Sequence, residues 1–111
     1  MQLKTDFSSI YTVLLPIKPI GNYKGFQQLV SIIEKILEQG KLQYNLSHDI
    51  YPYVAGIYDC KENSIERNIR TLLLNMDIKS LKKLTGQNIQ NEITVSQLID
   101  ILVTYILFKH I

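Results

Sequence analysis

The chain has 111 residues, 46% hydrophobic and 20% charged, which is one domain's worth of sequence with enough apolar surface for a core and excludes a wholly disordered chain. Twelve Lys and Arg against ten Asp and Glu leave a formal charge of +2, too mild to demand a nucleic-acid partner or to exclude one. The single cysteine, Cys60, excludes an internal disulfide and a Cys-based zinc cluster; with no signal-peptide order in Met1 to Ser9, it points to a cytoplasmic protein.

The predicted class is all-α: a helical bundle over residues 23–111, preceded by an extended N-terminal arm over 1–22. Phe7 to Ile17 is rich in β-branched and aromatic residues (Ile10, Tyr11, Thr12, Val13), which allows a short strand. Pro16, Pro19 and the Gly21-Asn22 turn signal then break regular structure. Phe26, Leu29, Val30, Ile33, Ile36 and Leu37 recur at helical spacing over Gly25 to Gln39, and Gly40 stands where a C-cap belongs. Residues 41–47 read as a connector with room for a helical turn at Leu42 to Leu46. Ser47 is a candidate cap for a helix reaching Tyr58, with Pro52 in its first turn.

After the polar link Asp59 to Glu62, the spacing predicts a helix from Asn63 to Met76 with the stripe Ile65, Ile69, Leu72, Leu73 and Met76. Asn63 and Glu66 have capping-box spacing at its start. Asp77 can cap a short helix that Gly86 ends, and Thr94 with Gln97 forms a capping box for a last helix to about Lys109. The apolar stretch Leu98 to Ile111 is 14 residues, too short to span a bilayer, and reads as a buried helix.

Two helices joined by a short link, with small Ala55 inside the first, have the form of a helix-turn-helix. Val54, Ala55, Tyr58 and Ile65 fall on its packing positions; Asp59 replaces the common turn glycine, and the late apolar position falls one residue on, at Ile69. The pattern alone serves an ordinary αα-hairpin equally well. The second helix tips the balance. Without its apolar stripe it offers Asn63, Ser64, Glu66, Arg67, Arg70 and Thr71, the residue types that pair with base edges. Lys61 precedes it, and Lys79, Lys82 and Lys83 follow on the next helix as candidate phosphate contacts.

These residues also carry a resemblance. Tyr23-Lys24-Gly25-Phe26-Gln27-Gln28-Leu29 resembles the opening of the C-terminal effector domain of the stage-zero sporulation protein A family, where a Lys-Gly-aromatic-Gln pattern starts the first helix. Ile50-Tyr51-Pro52 resembles its Leu-Tyr-Pro. Ser64-Ile65-Glu66-Arg67-Asn68-Ile69-Arg70 resembles its Arg-Val-Glu-Arg-Ala-Ile-Arg, and the segments Asp77 to Gly86 and Ile93 to Ile99 follow in the family's order. The match runs over about residues 20 to 111 and leaves 1–22 unexplained.

The resemblance implies a helix-turn-helix that binds promoter DNA of sporulation genes, and so a response-regulator effector domain in transcription regulation. Glu66, Arg67 and Arg70 stand at family positions that face bases or phosphates. Ser64 stands where the family has a base-reading Arg, and Thr71 where it has a His. Tyr53, Gly56 and Ile57 replace a stretch richer in Lys, so part of the family's positive surface is absent. The roughly 20 residues before the match are too few for the family's phospho-receiver, since a domain needs at least about 50.

His48, Asp49, Asp59 and Cys60 lack metal-site spacing, the five glycines are scattered, and no nucleophile motif is present. The expectation is therefore no enzyme, no cofactor and no metal. The leading reading is a sequence-specific DNA-binding transcriptional regulator. The alternative is a protein-interaction module that modulates a related regulator without touching DNA. Its apolar arm (Ile10, Tyr11, Val13, Leu14, Leu15) would pair with another chain, a second copy or a regulator. Truncating residues 1–19 discriminates: under this second reading association should fail, and under the first DNA binding should largely survive.

Overall fold

The computed structural model describes residues 6–40 and 43–109. These residues form six α-helices and no strand: α1 (Phe7–Leu14), α2 (Tyr23–Gln39), α3 (Tyr51–Tyr58), α4 (Glu62–Leu74), α5 (Ile78–Thr85) and α6 (Val95–Lys109). A 3₁₀ turn (Leu15–Ile17) follows α1, and a π-helical turn (Leu46–Ile50) runs straight into α3. Leu42, the first residue of the expected connector turn, and His110 and Ile111 at the end of the apolar stretch, lie outside the described residues.

The segment that allowed a strand is helical. Asp6 caps it by accepting from the Ser9 amide at 2.9 Å. Ile10, Leu14 and Ile17 then recur at i, i+4 and i+7 and are 0–2% exposed. Burial of that stripe outweighs the β preference of Ile10, Thr12 and Val13. The Tyr11 ring meets Phe26 of α2 edge-on, with centroids 4.9 Å apart. The arm's apolar residues Ile10 and Leu14 therefore belong to this chain's own core, and only Leu15 among the five named is exposed.

Helix α2 is the hub and packs against α1, α3, α4 and α6. Phe26, Leu29, Val30, Ile32, Ile33 and Ile36 are all buried, covering more of its circumference than one stripe would. Gly40, at φ 67°, closes it in the left-handed conformation that a residue without Cβ adopts freely. Asn45, rather than Ser47, caps the next turn by accepting from the His48 amide at 3.0 Å. Asp77 caps α5 through the Lys79 amide at 3.0 Å, and Gly86 ends it. Thr94 and Gln97 exchange both bonds of a capping box at 2.8 and 3.1 Å. No helix among the described residues is long and apolar enough to cross a membrane.

Candidate nucleic-acid interface

The link between α3 and α4 is three residues, Asp59 to Lys61. Asp59 takes the left-handed conformation (φ 50°, ψ 53°) at the position where a turn glycine is common, which a short polar side chain tolerates. The Cys60 amide donates to the Ala55 carbonyl at 3.1 Å, and Lys61 is extended, so α4 starts at Glu62. The expected Asn63–Glu66 capping box is absent, because both residues already lie inside the helix and Lys61 holds the cap position without a side-chain bond. Val54, Ile65 and Ile69 are fully buried between the two helices and α2.

Two devices fix α3 and α4 on the hub. The Tyr58 hydroxyl donates to the Gln27 carbonyl at 3.1 Å and shares a 2.7 Å bond with the Ser31 hydroxyl, tying the end of α3 to α2. On α4, Gly25 lets two backbones meet: a Cβ there would stand 2.7 Å from the Asn68 carbonyl oxygen. Beside this contact the Asn68 side-chain amide donates to the side-chain Oε1 of Gln28 at 3.0 Å. The Nε2 of Gln28 is buried without a hydrogen-bond partner among the described residues.

With Ile65, Ile69 and Leu72 inward, the outward stripe of α4 is Asn63, Arg67, Arg70 and Leu74, at i, i+4, i+7 and i+11. All four are exposed. Thr71 is exposed beside them, while Ser64 and Glu66 are half-buried on the flanks. Arg70 Nη2 pairs with Glu66 Oε1 at 2.7 Å, an exposed i, i+4 pair worth about 0.3–0.5 kcal/mol. Arg67 makes no salt bridge among the described residues. Lys61 is exposed in the turn that leads into the stripe. Lys79, Lys82 and Lys83 stand apart from this stripe, on one face of α5, which packs on the Leu15–Ile17 turn and α6. Lys79 and Lys83 are exposed and Lys82 is half-buried.

One residue of the outward stripe escaped sequence reasoning, and three residues of α3 acquire their surroundings only in the structure. Leu74, 80% exposed, completes the outward stripe; the run Leu72-Leu73-Leu74 carried the signal, since successive helical residues turn by about 100° and cannot all face one core. Tyr53 and Ile57 are exposed on α3, and Lys35 Nζ sits 4.1 Å above the Tyr53 ring. Tyr51 is buried beside α4; burial, and then the Glu66 carboxylate, push its phenol up to about 12 against the opposing Arg70. Among the described residues no group of His, Cys, Asp and Glu could hold a metal ion.

The family model of the sporulation initiation factor Spo0A C terminal matches residues 10–106. It therefore takes in part of the segment that the sequence reading left as an arm. No curated protein and no solved structure matches the chain.

Proposed function

The chain belongs to the Spo0A C-terminal family, the DNA-binding effector domain of a sporulation initiation factor and not an enzyme family, and from that premise we propose a sequence-specific regulator of transcription that reads duplex DNA with α4. In this reading α4 enters the major groove and Arg67 and Arg70 meet base edges, a guanine being the natural partner of a bidentate guanidinium. Asn63 sits one turn earlier on the same stripe. Glu66 acts through Arg70: the carboxylate holds one guanidinium nitrogen and leaves the others for a base or a phosphate. Lys61, Lys79, Lys82 and Lys83 take phosphates. The observation that carries the reading is the exposed stripe on α4, whose Arg67 has no acidic partner among the described residues, on the helix that the family's motif assigns to recognition.

The second reading, a module that modulates a related regulator without touching DNA, draws on exposed Tyr53 and Ile57, which occupy positions where the family is richer in Lys. Fluorescence anisotropy separates the two. A duplex carrying the family's promoter box and a scrambled duplex are titrated at two salt concentrations. Preference for the box, weakening as salt rises, supports the regulator. Equal binding to both removes the sequence specificity, and no binding at low salt favours the module.

A further inference from the structure

The outward face of α3 carries no charge. It consists of Pro52, Tyr53, Gly56 and Ile57, all exposed, while Tyr51, Val54 and Ala55 turn inward. A glycine inside a helix weakens it. Nothing in the chain offsets that weakness at Gly56: no other part of the chain lies within 4 Å of where its Cβ would stand. The missing side chain leaves a dent, lined in part by Pro52, Ala55, Gly56, Asp59 and Glu62. Beside the dent Tyr53 stands out as a knob, with Lys35 Nζ 4.1 Å above its ring.

We propose that this face pairs with the same face of a second copy of the chain. Shape is the first argument. Knob and dent lie on one helix, so two copies crossing antiparallel about a two-fold axis near Gly56 fill both dents at once, each with the Tyr53 ring of the other copy. Charge is the second. The charged residues at the dent are Asp59, Lys61 and Glu62, a net negative rim. Lys35 travels with Tyr53, so the same two-fold brings its ammonium to the acidic rim of the other copy. Lys35, Asp59 and Glu62 make no salt bridge among the described residues and are free for this pairing. The acidic rim disfavours the phosphates of a duplex on the same face. An eight-residue helix is about 12 Å long. Its face falls short of the roughly 800 Å² per partner of a standard complex, so the dimer is weak, with a Kd on the order of 100 µM. It uses none of the outward stripe of α4 and stands with or without the DNA-binding reading.

The test is sedimentation equilibrium of the full chain from about 10 µM to about 1 mM, with a melting curve for each variant. The average mass is expected to rise from one chain towards two and to rise less at high salt. Gly56→Lys fills the dent from open space and favours the helix, so it should keep the fold and weaken the dimer about tenfold or more. Tyr53→Ala removes the knob and should do the same; it serves if the first variant melts early. Lys35→Glu and Glu62→Lys should each weaken the dimer, and the two together should restore it to within about threefold, which a merely structural role would not do. A chain that stays monomeric at about 1 mM overturns the proposal. In that case NMR shifts at Tyr53 and Ile57 on adding the promoter-box duplex assign the face to DNA, and their absence leaves it to a different protein. A dimer untouched by both Gly56→Lys and Tyr53→Ala places the seam elsewhere and also overturns it. Growth beyond two chains contradicts the closed two-fold, and a charge swap without rescue contradicts the antiparallel crossing.

Discussion

The inward and outward faces of α4 are built on opposite plans. Inward, branched aliphatics are fully buried, Gly25 admits the Asn68 backbone, and a part-buried amide pair closes the seam. Outward, long polar side chains stand in solvent and one exposed ion pair joins two of them. The inner face holds the helix in place with contacts that a single methyl group can disturb. The outer face carries the chemistry and contributes little to stability. Substitutions on the two faces should therefore separate folding from binding.

The largest expected effect is inside. Ile69→Ala leaves a cavity under α4 and should lower the unfolding free energy by about 2–5 kcal/mol in urea denaturation. Gly25→Ala places a methyl group against the Asn68 carbonyl and should cost about 1–3 kcal/mol, read as a lower midpoint with an unchanged slope. A tolerated alanine there would break the comparison, because the close approach would then be dispensable.

Tyr51 gives a pH-dependent effect on the inner flank. Its phenol is raised from 10.0 to about 12, so the fold favours the neutral form. That contribution is complete below pH 10 and is lost as pH rises from about 10 to about 12. Stability of the native chain should fall more steeply across this window than that of Tyr51→Phe; parallel curves would contradict the burial argument. The smallest effect lies outside. Glu66→Gln removes the exposed pair and should shift stability by only about 0.3–0.5 kcal/mol, measured by thermal melting.

Much of this was legible in the sequence, for a physical reason. The helices from α2 onward are long, periodic and bounded by local signals, and Gly40, Asp77, Gly86 and the Thr94–Gln97 pair act where they stand. Helix α1 was hidden because its β-branched residues favour a strand locally. Its i, i+4, i+7 stripe gains meaning only against Phe26, on another helix. Truncating residues 1–19 would thus strip Ile10, Leu14 and Ile17 from the core and could not isolate an association surface. Asn45 and Ser47 are both good caps, and only the chain path decides between them. Gly25 was visible as part of a motif, but its reason lies in Asn68, far along the chain. Arg67 and Arg70 could be found by subtracting the apolar stripe.

The most direct test of the account is the base preference of Arg67→Ala. Anisotropy with the promoter-box and scrambled duplexes, beside a melting curve, measures both faces at once. The account predicts an unchanged melting temperature, a loss of about 1–3 kcal/mol on the box and a reduced ratio between the two duplexes. A variant that keeps both its affinity and its base preference would contradict α4 as the reading helix.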